Sequence, residues 1–298
     1  MKSSRLVCCL MGLAVLVPGL LVLIVSPNRL SGWVRKADVR LNLPCRSPGP
    51  TSLLSAETDQ DGLGNPAFWI AHGGGVGEYV YTNSREAVLD SLARGFRFIE
   101  LDLMVTADGF LVGAHDWPGF RRMVGASEGK EPLTRAEILA LKDKWKCTPL
   151  FAEDICHLME RNPSMVLVTD KIQDFERLTG EIPHADRMVV EAFSPHDYLQ
   201  ALRAGFRHVA LTVSVLYDLQ QAEKYNVSGI VLYAPLMEKS PEALELVKRL
   251  HAKGCCVTVH GSIVSDKPEF VRTHLGRNIS RIYTDTWSPK NLPPKLSD

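Results

Sequence analysis

The sequence has no excess of charge of either sign. Its 298 residues include 34 lysines and arginines against 34 aspartates and glutamates, so the formal net charge at neutral pH is zero. Nucleic-acid-binding domains usually carry a basic surplus, and we therefore expect no nucleic-acid partner. Hydrophobic residues make up 45% of the chain and charged residues 23%, which excludes a disordered or collagen-like protein.

Signals for two common kinds of site are also missing. The five cysteines beyond position 9 have no C-x-x-C spacing, so the sequence gives no support for a zinc site. Cys147 and Cys156 form either a disulfide or, as we expect, two separate thiols. No G-x-G-x-x-G motif follows the first predicted strand, which leaves a dinucleotide site without support.

One long apolar segment is present. Residues 6–25 carry no charge, and at about 1.5 Å per residue they would form a helix roughly 30 Å long, the thickness of a bilayer core. A cleaved signal peptide is the alternative, but its apolar region usually has only about 7 to 15 residues, and no A-x-A site follows this run. We predict an N-terminal transmembrane helix.

The residues that flank this helix bear on its orientation. Lys2 and Arg5 precede it, as in signal anchors, so we expect a single-pass membrane protein whose globular part lies on the exported side. The positively charged residues after the helix favour the opposite orientation.

Changes in composition divide the chain into four parts. Residues 1–26 form the predicted membrane anchor, and the proline-rich residues 27–66 form a juxtamembrane linker. Residues 67–290 contain the globular domain, and residues 291–298 form a short tail. The sequence gives no indication of an oligomeric state.

Within the globular domain, short apolar runs alternate with stretches of helical period. Most of the runs lack alternating polar residues, which is typical of strands that are buried on both faces of a parallel sheet. The eight runs are residues 68–73, 96–103, 165–171, 188–193, 208–214, 229–234, 255–261 and 280–285. They predict an α/β fold, a (β/α)8 TIM barrel, with an open doubly wound sheet as the alternative. A hairpin over residues 106–116 is expected after the second strand.

Acidic residues occur where the second and third strands end. Glu100 and Asp102 lie two apart on one strand, so their side chains share a face. Two carboxylates in an apolar strand repel each other and need a positive charge nearby. A divalent cation, Mg²⁺ or Ca²⁺, would supply it, with Asp170 joining from the third strand; neutralisation by Arg97 is the alternative.

Two histidines accompany these acids. His72 ends the first strand, and His115 follows the hairpin. Because histidine titrates near neutral pH, one ring can take a proton while the other gives one. Cleavage of a phosphate ester needs both transfers, together with a cation that offsets charge on the phosphoryl oxygens.

Six segments, in order along the chain, resemble the glycerophosphodiester phosphodiesterases, a family of the phosphatidylinositol-phospholipase-C-like phosphodiesterase barrels. They are AHGGG (71–75), YTNSREA (81–87), FIELDLMVTADGFLVGAHD (98–116), VTDK (168–171), EAFS (191–194) and IYTD (282–285). The resemblance implies a metal-dependent phosphodiester hydrolase that acts on glycerophosphodiesters or related, lipid-derived headgroup phosphodiesters.

The same resemblance implies roles for particular residues. His72 and His115 match the catalytic acid/base pair. The metal ligands would be Glu100, Asp102 and Asp170, with Asp170 in place of the usual glutamate. Lys171 and His260 are implied as substrate contacts.

Two positions depart from the family pattern. Gly73 stands where the family has a phosphate-contacting arginine, and Tyr81-Thr82-Asn83-Ser84 stands where it has P-E-N-T. We expect the lost positive charge to be replaced by Arg85, Arg121 or Arg122, or by backbone amides of residues 73–75.

These departures keep other functions open. A barrel that has lost catalysis and serves as a membrane-anchored binding module is the main alternative. A glycosidase, with the paired carboxylates as acid and nucleophile, is a more distant one that leaves the histidines unexplained.

Overall fold

The computed structural model of the protein describes residue 53 and residues 63–141 and 145–294. The predicted membrane helix lies outside these residues, as does most of the predicted linker. None of the helices within the described ranges is long and apolar enough to cross a bilayer.

Nine strands are present in the described residues, and eight of them form a closed parallel barrel. The strands are β1 (Trp69–Ala71), β2 (Phe98–Val105), β3 (Leu111–Gly113), β4 (Val166–Asp170), β5 (Met188–Ala192), β6 (Val209–Val213), β7 (Gly229–Tyr233), β8 (Cys256–His260) and β9 (Arg281–Thr284). Strand β1 pairs with both β2 and β9, which closes the sheet, and β3 pairs antiparallel with β2 outside the barrel. The predicted TIM barrel and its additional hairpin are therefore confirmed.

Helices follow most of the strands. They are α1 (Arg85–Ala93), α2 (Trp117–Met123), α3 (Arg135–Ala140), α4 (Ala152–Arg161), α5 (Phe175–Glu181), α6 (Pro195–Arg203), α7 (Leu216–Tyr225), α8 (Ala234–Lys239), α9 (Pro241–Ala252), α10 (Ser262–Ser265) and α11 (Pro268–His274). Side-chain caps set several of the starts: Ser240, for example, accepts a hydrogen bond from the Ala243 amide at the start of α9. Asp116 caps the start of α2, where its side chain accepts a hydrogen bond from the Gly119 amide.

The alternation of side chains along β2 divides its residues between two environments. Ile99, Leu101 and Leu103 are fully buried in the large cluster that packs the strands against the helices. Phe98 belongs to a second cluster that fills the barrel interior. Glu100 and Asp102 share the face of Phe98, so β2 directs both carboxylates inward, towards the carboxyl end of the barrel.

The cysteines of the described residues form no disulfide. Cys147 and Cys156 are free thiols, as expected from the sequence. The Cys156 thiol donates a hydrogen bond to the Glu181 carbonyl oxygen.

Candidate active site

Three carboxylates meet at the carboxyl end of the barrel. One carboxylate oxygen each from Glu100, Asp102 and Asp170 lies within 4.8 Å of the other two. The register explains the meeting, because Asp102 on β2 is directly paired with Asp170 on β4. Glu100 and Asp102 are each only 3% exposed. The structure thus brings together the three acids that the sequence grouped.

Backbone and side-chain amides hold two of these carboxylates in place. The Gly73 amide donates to Glu100 Oε2 at 2.6 Å. Asn83, which is fully buried, makes two bonds to Asp102: its Nδ2 donates to Oδ2 at 3.0 Å, and its Oδ1 accepts from the Asp102 amide at 2.9 Å. The sequence analysis gave no role to Asn83, although it stands in one of the matching segments.

The carboxylate cluster carries more negative charge than its surroundings neutralise. Burial, and then the charges of Asp102 and Asp170, raise the pKa of Glu100 well above its usual range. Burial, and then the charges of Glu191 and Asp102, raise the pKa of Asp170 to about 9. Lys171 Nζ, 3.9 Å from Asp170 Oδ2, lowers it only in part.

The donor set fits a hard divalent cation. All three groups offer oxygen, and Asp170 Oδ1 is buried without a hydrogen-bond partner among the described residues. Neutralisation by Arg97 is not what the structure shows. Arg97 precedes the first residue of β2, and its guanidinium lies over the Phe98 ring, 5.5 Å from the centroid.

His72 follows β1 and has a partner on each ring nitrogen. Its Nδ1 lies 3.0 Å from Asp285 Oδ1, and its Nε2 lies 2.7 Å from the Tyr81 hydroxyl. Burial acts to raise the pKa of Asp285, but hydrogen bonds from His72 and Ser262 outweigh it and hold that pKa below its usual range. Because the ionised carboxylate can only accept, Nδ1 carries the proton, and in the neutral ring the Tyr81 hydroxyl donates to Nε2.

His115 also lies at the carboxyl end of the barrel, which forms the mouth of the site. Its ring is 5.5 Å from that of Tyr81, which is itself 4.3 Å from the His72 ring. His115 Nδ1 lies 2.9 Å from Asp116 Oδ2, and 43% of the His115 side chain is exposed. Both histidine rings therefore lie close to the ring of one tyrosine, which the sequence analysis did not single out.

The two residues implied as substrate contacts are in different places. Lys171 has a left-handed backbone, with φ of 63°, and lines a cavity of about 340 Å³ together with His115. His260 ends β8, four strands further round the barrel, where its ring lies 5.4 Å from that of Tyr233. Burial, and then the charge of His72, lower the pKa of His260 to about 4. Its Nε2 is buried without a partner among the described residues.

A further buried acid, Glu191 on β5, faces the same mouth. It is 6% exposed and accepts hydrogen bonds from Thr212 Oγ1, at 3.1 Å, and from the Tyr283 hydroxyl. Burial is the largest cause that raises its pKa. In the sequence, the sign that Glu191 belongs to the site is its position within an otherwise apolar strand.

Two of the expected replacements for the missing arginine have other hydrogen-bond partners in this structure. Arg121 donates hydrogen bonds to the carbonyl oxygens of Ser127 and Glu131, at 2.8 and 3.0 Å.

Two backbone amides of residues 73–75 also have partners. The Gly73 amide donates to the Glu100 carboxylate, and the Gly75 amide donates to the His72 carbonyl. In addition, a Cβ at Gly73 would lie 2.7 Å from Tyr81 Cα, so the backbone leaves no room for an arginine there.

A sequence model of the glycerophosphoryl diester phosphodiesterase family matches residues 72–227, slightly more than half of the chain. The chain belongs to this glycerophosphoryl diester phosphodiesterase family. It is therefore a phosphoric diester hydrolase. The matched range begins at His72 and contains the whole carboxylate cluster and His115.

Solved structures of phosphodiesterases share the fold. A glycerophosphodiester phosphodiesterase of Thermotoga maritima is 18% identical, with a TM-score of 0.56 over 73% of this chain and 94% of that one. A glycerophosphoryl diester phosphodiesterase of Parabacteroides distasonis is 16% identical, with a TM-score of 0.58 over 74% and 82% of the two chains. An Oleispira antarctica phosphodiesterase, in complex with the product sn-glycerol-3-phosphate, is 14% identical, with a TM-score of 0.56 over 73% and 92%. A comparison with curated proteins finds no match.

Proposed function

We propose that this phosphodiesterase hydrolyses glycerophosphodiesters, or related phosphodiesters derived from lipid headgroups, with His72 and His115 as its acid/base pair. The observation that carries the proposal is the arrangement of the mouth. Three acids that fit a divalent cation lie there beside two histidines, each of which has a carboxylate on its Nδ1. A phosphoester bound over the acids would have a proton acceptor and a proton donor available.

Glu100, Asp102 and Asp170 would hold the cation, Mg²⁺ or Ca²⁺. When bound, the cation offsets negative charge on the phosphoryl oxygens. The backbone amide of Gly73 orients the Glu100 carboxylate, and the side-chain amide of Asn83 orients that of Asp102, so both directions are fixed without a metal.

His72 is suited to accept the proton from the attacking oxygen, which belongs either to water or to a neighbouring hydroxyl of the substrate. Asp285 holds the ring in the tautomer that leaves Nε2 as the acceptor. The same carboxylate stabilises the imidazolium that forms once the proton has been taken.

His115 is suited to protonate the leaving alcohol. Its ring lines the cavity of about 340 Å³, whose walls include Leu103, Met104 and Ile172 and into which Lys171 brings a positive charge. The exposure of the ring allows it to regain its proton from solvent. The cavity therefore has the size and the mixed lining of a site for an amphipathic alcohol.

Exposed apolar side chains favour a lipid-derived substrate. Phe193, Val215, Tyr233 and Ile263 are all exposed and lie at the carboxyl ends of four neighbouring strands, β5 to β8. They form an apolar half of the mouth, opposite the half that carries the acids and His72. An acyl chain or a lipid surface would cover them. The sn-glycerol-3-phosphate bound to the Oleispira enzyme supports a glycerophosphodiester as the reacting part.

Membrane anchoring is part of this proposal and rests on the sequence. Residues 6–25 form the anchor, and the globular domain lies on the exported side. Residues 27–52, at roughly 3.3 to 3.6 Å each, span about 90 Å when extended, which is enough for the mouth to reach the bilayer. Carbonate extraction of membranes, followed by protease treatment of intact cells, tests both points. Release of the protein by carbonate would contradict the membrane anchor. Protection from the protease would contradict the proposed orientation.

The activity is tested with the full-length chain in detergent. Glycerophosphocholine, glycerophosphoethanolamine, glycerophosphoinositol and lysophosphatidylcholine are each offered with Mg²⁺, Ca²⁺ or a chelator. We expect metal-dependent release of the headgroup alcohol or of its phosphate ester from at least one of them. Absence of turnover with every substrate and both metals would instead favour the binding module.

A further inference from the structure

Tyr81 has ring contacts with both candidate acid/base histidines. Its ring meets the His72 ring edge-on at 4.3 Å and the His115 ring edge-on at 5.5 Å. Its hydroxyl oxygen is 2.7 Å from His72 Nε2, a short and direct hydrogen bond. Neither the family match nor the sequence analysis assigns this tyrosine a function.

The tautomer of His72 gives this contact a direction. Asp285 accepts the Nδ1 proton, so Nε2 is the basic nitrogen of the neutral ring. The Tyr81 hydroxyl donates its hydrogen bond to that nitrogen. An oxygen that attacks phosphorus would therefore meet the Tyr81 hydroxyl oxygen before it met His72.

The backbone holds Tyr81 in this place at a conformational cost. Its φ is 60°, in the left-handed region that bulky residues seldom occupy, and its Cα leaves no room for a side chain at Gly73. Hydrogen bonds fix the loop on both sides: the Asn83 amide donates to the Gly73 carbonyl at 2.8 Å, and the Gly77 amide donates to the Asp285 carbonyl at 3.1 Å. Such conformations persist where the surroundings determine them strongly, and they concentrate at functional sites.

We propose that Tyr81 is a catalytic residue that relays the proton from the attacking oxygen to His72. The Tyr81 hydroxyl gives its proton to His72 Nε2 while its oxygen receives the proton of the attacking water or substrate hydroxyl. One O–H bond of the nucleophile breaks as its bond to phosphorus forms, His72 becomes an imidazolium, and Tyr81 ends the step as a neutral phenol. The leaving oxygen departs with a proton from His115. This inference rests on the proposed function and assigns one further residue to it.

The decisive variant is Tyr81→Phe, which keeps the ring and removes only the hydroxyl. With glycerophosphocholine and saturating metal, we expect kcat to fall by about 10²-fold, the lower range for a lost proton transfer, while KM changes by less than about twofold. The matched control is Tyr79→Phe, two residues away on the same loop, which should keep the wild-type kcat. Thermal unfolding of both variants checks that the fold is intact.

Two other results would overturn the relay. An unchanged kcat in Tyr81→Phe means that the tyrosine only fills space. A raised kcat means that its hydroxyl blocks His72 and has to leave before the reaction.

A second measurement separates this inference from the proposed function. The ¹⁵N resonances of the His72 ring report the Tyr81 hydrogen bond whether or not any substrate is turned over. We expect Tyr81→Phe, but not Tyr79→Phe, to shift the Nε2 resonance of His72. If the wild type cleaves no phosphodiester but Tyr81→Phe shifts the Nε2 resonance, the proposed function is wrong, although the hydrogen bond between Tyr81 and His72 is present. If the wild type is active and neither kcat nor the resonance responds, the relay alone fails.

Discussion

Asn83 holds Asp102 at two points, once at the carboxylate and once at the backbone amide. Both residues are buried, and the two bonds measure 3.0 and 2.9 Å. The carboxylate therefore has a fixed direction towards Asp170, its register partner on the neighbouring strand. Residues that orient a ligand in this way usually affect metal affinity more than they affect the chemical step.

Removal of this support should weaken metal binding. In Asn83→Ala we expect the metal concentration for half-maximal activity to rise by about 10- to 100-fold, with kcat at saturating metal less affected. Metal titrations of the hydrolysis rate measure both quantities. Asn65→Ala, which removes a cap at the opposite end of β1, is the control and should titrate like the wild type. An unchanged metal requirement in Asn83→Ala would mean that Asp102 is oriented without it.

Loss of a ligand should abolish the effect of metal on stability. We expect Mg²⁺ or Ca²⁺ to raise the Tm of the wild type, since an ion that binds only the folded state stabilises it. Glu100→Gln and Asp170→Asn should lose this increase. Glu191→Gln removes a buried acid of the same mouth that lies outside the cluster, and it should keep the increase. A metal-induced rise in Tm that survives in Glu100→Gln would remove that residue from the ligand set.

The metal-free protein should lose stability as pH rises. Asp170 has a pKa of about 9 in the folded protein against an ordinary value near 4, so the folded state binds more protons between these limits. Stability is then greatest below about pH 4, as far as this group is concerned, and falls as pH rises towards 9. Urea unfolding in the presence of chelator at pH 5, 7 and 8.5 measures the slope. Asp170→Asn should flatten it, and a wild-type stability that rises over this range would contradict the assignment.

The two histidines should respond differently to the leaving group. With glycerophosphocholine we expect His115→Ala to reduce kcat by about 10² to 10⁴-fold, because the departing alkoxide needs a proton. With bis(p-nitrophenyl) phosphate the loss should be much smaller, since p-nitrophenolate leaves without one. His72→Ala should be impaired with both substrates, because each still requires a base. Equal losses in His115→Ala with the two substrates would remove it as the general acid.

Asp285 should act through His72. Asp285→Asn keeps the shape of the side chain but no longer favours the tautomer in which Nε2 accepts a proton. We expect kcat to fall by about 10² to 10⁴-fold and the acidic limb of the pH–rate profile to move to lower pH, with KM little changed. An unaltered pH profile would show that Asp285 supports the loop rather than the base.

The sequence predicted the parts of this site that depend on local periodicity. Strands that are buried on both faces could be recognised from their composition, and the spacing of two between Glu100 and Asp102 fixed a shared face. Once a parallel barrel was expected, Asp170 at the next strand end had to lie nearby. These steps need only the period of a strand and the geometry of a barrel.

Contacts across the closure of the barrel could not be predicted in this way. His72 and Asp285 are 213 positions apart and meet only because β1 pairs with β9. The position of Tyr81 depends on a left-handed backbone at a residue type that seldom adopts one, and on a glycine that makes room for it. Local propensity argues against that conformation, so the sequence alone gave no signal for the contact with His72.

The most direct test of the account is the hydrolysis of glycerophosphocholine by chelator-treated, full-length protein before and after metal is returned. We predict that the chelator abolishes the activity of the wild-type protein and that addition of Mg²⁺ or Ca²⁺ restores it. Neither ion should restore activity in the Asp170→Asn variant. Full turnover in the presence of chelator, or equal restoration of Asp170→Asn, would contradict a cation held by Glu100, Asp102 and Asp170 beside the two histidines.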